Sequence, residues 1–139
     1  LRMLIKVGEK EFEATFNAFT PIVFSRYFHV VNPNGTRRPK DINEAVGAIL
    51  AAQNEYGFPP IAPLLEIFYA CIKTATPKFD EMFDEWVSAF PADAYDLGRS
   101  DGWASDVMEI VQDNFFPSAK EVMDTATAEE ESAAAAKRA

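Results

Sequence analysis

Two residues in this sequence have the chemistry of a nucleophile or a metal ligand, Cys71 and His29, and each is the only one of its kind. A Cys–His nucleophilic pair needs both side chains in one cleft. A structural zinc site needs four thiolate or imidazole ligands, more than this chain can supply. Cys71 lies in the apolar arc of segment 61–75, where a thiol acts as a small hydrophobe. His29 falls on the polar side of the helix expected from Thr20, as a solvated or capping group. Neither has a recognisable partner.

The carboxylates read in the same way. Asp80, Glu81, Asp84 and Glu85 alternate with aromatic residues and fall on the side away from them, as a solvated helix face. Asp101-Gly102 resembles the middle of a calcium loop, but that register puts Leu97 and Met108 at its first and last positions, where oxygen ligands are required. The six glycines are scattered, with no phosphate-binding spacing among them. The residues support no catalysis and imply no cofactor.

The elements that would position these groups are mostly helical. Residues 3–16 read as a β-hairpin turning at Gly8, with Phe12, Ala14 and Phe16 alternating against Glu11, Glu13 and Thr15. Thr20-Pro21 is a helix start, the hydroxyl as N-cap, and that helix is expected to run to about Val31. Its apolar residues Val23, Phe24, Tyr27, Phe28, Val30 and Val31 spread over roughly 160° at about 100° per residue, wider than one packing stripe. Residues 32–40 form a loop of turn residues. Asp41 and Glu44 have capping-box spacing, and Gly57 is placed to end the helix they open.

From Ile61 to Ala75 only Glu66 and Lys73 interrupt an apolar surface, the pattern of a central buried helix. Thr76-Pro77 predicts another start, followed by Phe79, Met82, Phe83, Trp86, Val87 and Phe90 on one face. An acidic link, 91–102, precedes a last helix to Phe116. The fold class is α+β and helix-dominated, an N-terminal hairpin on about five helices. One globular domain is expected over 1–117, and a weakly anchored helical or disordered tail over 118–139, which has no aromatic residue.

With a net charge of −9 from 22 acidic and 13 basic residues, the chain is poorly suited to phosphate backbones and anionic membranes. No apolar run approaches the roughly 20 residues of a membrane span. The lone cysteine and the lack of a signal-peptide pattern place the protein in the cytoplasm as an expectation. Protein binding remains. Its candidate residues are the wide arc Phe24, Tyr27 and Phe28, readable as core or as partly an interface, and the basic loop residues Arg37, Arg38 and Lys40. A basic loop and an acidic helix on one chain favour head-to-tail homo-oligomers.

The stretch Leu4-Ile-Lys-Val-Gly-Glu-Lys-Glu-Phe-Glu-Ala-Thr-Phe16 is similar to the opening hairpin of the small tail assembly chaperones of long-tailed bacteriophages. The aromatic helix after Thr20-Pro21 and the Leu64-Leu-Glu-Ile-Phe-Tyr-Ala-Cys-Ile72 segment, followed by Thr76-Pro77, fit as well, so the resemblance spans about residues 3–116. It implies a non-enzymatic, cytoplasmic phage or prophage protein that binds the tape measure protein and tail tube subunits during assembly. A longer frameshifted form is common in that family. The alternative is a structural subunit of the particle, a small tail or head-completion protein.

Overall fold

The order of elements in the computed structural model is β1 (Arg2–Val7), β2 (Lys10–Thr15), α1 (Thr20–Tyr27), β3 (His29–Val31), β4 (Arg37–Pro39), α2 (Ile42–Tyr56), α3 (Ile61–Ala75), α4 (Phe83–Ser88) and α5 (Trp103–Phe115). A short 3-10 turn at Ala92–Tyr95 precedes α5. Residues 2–95 and 102–116 are described. The class is the expected one, α+β and helix-dominated, with five α-helices among the described residues. The chain divides into two units, Leu1–Met108 and Glu109–Ala139, so the division falls inside α5, ahead of the residue 117 expected from composition. The expected tail, 118–139, lies outside the described residues.

The opening hairpin pairs antiparallel from Arg2 opposite Thr15 to Val7 opposite Lys10. Its loop is Gly8-Glu9, and Gly8 has φ +64, the positive value that a type II′ turn requires at its first central residue. The inward face carries Ile5, Val7 and Ala14, all buried. Phe12 sets its ring edge-on to Phe68 at 6.1 Å and to Trp86 at 5.8 Å, within the range of favourable aromatic pairs.

Helix α1 ends at Tyr27, one turn earlier than its periodicity predicts, because Phe28 is extended (φ −122, ψ 135). Residues 29–31 are not helix but strand β3, paired with β4 from His29 opposite Pro39 to Val31 opposite Arg37. The expected loop 32–40 is therefore the turn and second strand of a small hairpin. Val30 and Val31 are β-branched and favour extended backbone, and Gly35 supplies φ +86 in the turn. Lys40 fastens the hairpin, its N–H donating to Phe28 O at 2.9 Å and its carbonyl accepting from Ser25 Oγ at 2.8 Å. Thr20, expected as N-cap, is instead the first helical residue. Its buried hydroxyl accepts the Asn17 N–H at 3.0 Å and bonds Thr74 Oγ1 at 3.1 Å.

Helix α2 begins and ends as its sequence dictates. Asp41 accepts from the Asn43 N–H at 2.8 Å, Glu44 completes the capping box, and Gly57 is left-handed at φ +80. Helix α3 buries nine of its fifteen residues. The predicted helix from Thr76 is reduced to α4, which starts only at Phe83. The physical reason lies on α3: the Lys73 ammonium donates to Phe79 O, and Tyr69 Oη donates to Glu81 O at 2.7 Å. A continuous helix would give those carbonyls to the N–H groups of Phe83 and Glu85, so the 76–82 segment runs as turns and extended chain.

The two turn glycines differ in surroundings. A Cβ on Gly57 would meet nothing within 4 Å, whereas one on Gly8 would lie 2.9 Å from Pro91 Cγ. Gly57→Ala should lower stability by about 1–2 kcal/mol, the cost of a left-handed conformation for an L-residue. Gly8→Ala pays that and the clash with a rigid ring, so its urea midpoint should fall clearly further. Equal midpoints for the two variants would contradict this packing of the turn.

Candidate functional site

In the first unit, the C-terminal end of α1, the β3–β4 hairpin, one face of α3 and the 80–84 segment surround an open groove of about 530 Å³. Its floor is aromatic. The Phe28 and Phe83 rings meet edge-on at 5.0 Å, and Tyr69 lies 5.5 Å from both Phe83 and Tyr27. Phe28 and Tyr69 are buried, whereas Tyr27 is 47% exposed and Met82 68% exposed. These two are therefore apolar surface open to water.

Charged groups ring this floor. Asp80, Glu81 and Asp84 line one side, and His29 and Arg37 come from the small hairpin. From α3 come Glu66 and Lys73. The Lys73 ammonium sits 5.1 Å from the Tyr27 ring centroid and 5.9 Å from those of Tyr69 and Phe79. It is held by cation–π attraction as well as by Phe79 O. Glu66 is paired with Lys40 Nζ at 2.7 Å, both side chains mostly buried. Burial first, then the neighbouring Tyr27 and Glu81, raises the Tyr69 phenol above its ordinary pKa, which keeps its hydroxyl a proton donor to Glu81 O.

Of the six expected binding residues, the groove gathers Tyr27, Phe28 and Arg37. Phe24 is fully buried and belongs to the core, 5.0 Å from the Phe28 ring. Arg38 turns away to Glu44 at 2.6 Å, and Lys40 to Glu66. The basic loop thus keeps Arg37 as its one cation without an ion pair among the described residues. Hydrogen bonding from Arg38 lowers the Glu44 pKa, so this pair helps at neutral pH and is lost as acid protonates the carboxylate. Tyr69, Lys73, Met82 and the acidic trio were not expected at one site. Lys73 interrupting an otherwise apolar arc was the visible signal. Met82 gave none, since its exposure follows from the broken helix.

His29 lies on the groove rim and not on a helix face. Cys71 is buried in α3, and desolvation pushes its pKa up from 9.0 to about 12. Among the described residues no three His, Cys, Asp or Glu side chains gather as a metal site. No helix among them is long and apolar enough to cross a membrane. Comparison of the chain with family models, curated proteins and solved structures finds no match.

Two outcomes follow from these side chains. In the folded protein at pH 8, Cys71 should react with a thiol reagent only as fast as the core opens, and at once in denaturant. The native state holds the thiol proton more tightly than the unfolded chain, so this group leaves stability unchanged below pH 9 and lowers it as pH rises from 9 towards 12. Lys40→Met leaves Glu66 mostly buried without its cation and should cost about 1–2 kcal/mol in urea unfolding. Arg38→Met, at an exposed pair, should leave the midpoint nearly unchanged. A reversed order of those two variants would show that the 28–40 hairpin is not held through Lys40.

Proposed function

We propose that the protein acts without catalysis, by binding another protein chain through the groove, in the manner of a phage tail assembly chaperone. The observation that carries this reading is the pairing of a preformed aromatic floor with two large apolar side chains, Tyr27 and Met82, left open to water. Exposed apolar surface set in a polar rim marks interaction sites. Methionine suits a site that must accept more than one sequence, being unbranched and polarizable. The acidic surface of a chain with net charge −9 would keep a complex with an apolar client in solution.

The client implied by the resemblance is the tape measure protein, a long helical chain that needs cover before the tail is built, with tail tube subunits recruited at the same stage. The cytoplasm of the infected or lysogenic bacterium is the corresponding location. Self-association belongs to the same proposal, although Arg38 and Lys40 are spent within the chain, leaving little of the basic face a head-to-tail contact would use.

Co-expression with a tape measure protein from the same phage genome, followed by size-exclusion chromatography with light scattering, tests the reading. The client should become soluble and co-elute. Tyr27→Asp or Met82→Asp should remove co-elution while the helical circular dichroism stays unchanged. If the client still precipitates and purified particles carry this protein at fixed copy number, it is a structural subunit instead.

A further inference from the structure

The charges around the groove say what kind of segment it is built to hold. Glu66 is neutralised from within by Lys40 at 2.7 Å, whereas Lys73 keeps its charge and is held in place by Phe79 O and the three rings around its ammonium. Among the described residues the groove charges without an ion pair are Arg37 and Lys73 against Asp80, Glu81 and Asp84. Three carboxylates against two cations leave an excess of one negative charge, concentrated on the 80–84 side of an apolar centre formed by Tyr27, Phe83 and Met82.

That arrangement narrows the occupant. Nucleic acid would bring phosphates to a ring of carboxylates, which costs affinity rather than adding counterion release. A second copy would bring a net charge of −9 and its own acidic rim. An added β-strand has little to pair with, because β3 and β4 have three residues each and β4 ends in Pro39, which has no N–H to offer. A volume of about 530 Å³ is room for a few side chains from a segment lying across it, as in helix-in-groove recognition.

We infer that the groove binds a basic amphipathic helix of the partner chain, with apolar anchors spaced i, i+3 or i+4 and i+7 on the aromatic floor and Lys or Arg side chains on the Asp80–Asp84 rim. This rests on the protein-binding reading above and names its partner's chemistry. Apolar contact supplies holding, and the acidic rim selects the sign of charge and speeds encounter.

The test uses the full chain and three synthetic helical peptides: one with a leucine stripe flanked by lysines, one with every lysine changed to glutamate, and one keeping the lysines with the leucines changed to alanine. Fluorescence anisotropy of labelled peptide should show the Leu/Lys peptide binding at least tenfold tighter than either other, and weakening as salt is raised. The double variant D80K/D84K should lose tenfold or more for the Leu/Lys peptide and gain for the Leu/Glu peptide. Equal binding of the Leu/Lys and Leu/Glu peptides, or no binding of either, overturns this inference. So does binding by the Ala/Lys peptide as tight as by Leu/Lys, or binding that survives Tyr27→Asp and Met82→Asp, since both would mean diffuse attraction to an acidic protein. Client co-elution combined with such a result would leave the protein-binding reading intact with a partner of different chemistry. Failure of co-elution alone would sink that reading and this inference with it.

Discussion

Helix α3 has almost no side that can face water, and the first unit is arranged around that fact. Leu64, Leu65, Ile67, Phe68, Ala70, Cys71 and Ile72 are all buried, and each large side chain among them is worth about 1.5–3 kcal/mol only if a neighbour covers it. A two-stranded hairpin alone is barely stable, and β1–β2 becomes so by laying Phe12 on Phe68 and Trp86. Helix α1 covers a second side through Val23 and Phe24, helped by Phe28 just beyond its end. Helix α2 covers a third through Ile42, Val46 and Ile49, all buried. Trp103 stacks on Phe68 at 5.8 Å with an interplanar angle of 19°, and its indole N–H reaches Ala94 O at 2.7 Å. Trp86 is covered as fully, yet its indole N–H has no partner among the described residues. Shape has prevailed over hydrogen bonding there.

The few polar groups on α3 shape the groove. Glu66 takes Lys40 and so holds the small hairpin, Tyr69 takes the carbonyl of Glu81, and Lys73 takes that of Phe79. A helix with apolar residues at those three positions would leave 76–82 free to coil as its spacing suggests, Met82 would turn to the inner face, and the acidic residues would line a plain solvated surface. Fold and groove therefore share one cause: side chains of the central helix compete for backbone groups of the segment that follows it.

That competition also explains what could be read from the residues alone. Local signals were legible where neighbours merely confirmed them. The Gly8 turn, the Asp41–Glu44 capping box and the Gly57 stop depend on backbone rules that operate within a few residues, and the burial of α3 was legible from its all-round apolar pattern. The misreadings lie where a distant group overrides a local period. Val30 and Val31 continue the apolar spacing of α1, but Phe28 O is claimed by the Lys40 N–H twelve residues on and the chain turns into strand. The Asn34-Gly35 turn after the β-branched pair Val30-Val31 was the sequence signal for that hairpin, whereas its second strand, Arg37–Pro39, carries none. For the 76–82 segment there was no comparable signal, since Thr76-Pro77 and the aromatic spacing both favour helix. Of the candidate site, Tyr27, Phe28 and Arg37 were legible as a wide apolar arc and a basic loop. Their convergence with Tyr69, Met82 and Asp84 was not, because it is made by tertiary hydrogen bonds.

The use of cations in this acidic chain follows the same logic. Ordering a long charged side chain costs conformational entropy, and an exposed pair returns little for it. The partly buried Lys40–Glu66 pair returns more, because removing either partner strands the other in a low-dielectric place. Lys73 is placed where the faces of three rings and a carbonyl replace its lost water. With Lys40 and Lys73 committed within the chain, the groove rim is left to Arg37 and the carboxylates of Asp80, Glu81 and Asp84. On the proposed reading, the Asp80, Glu81 and Asp84 side of that rim favours a segment of opposite sign and opposes the carboxylates of a second copy.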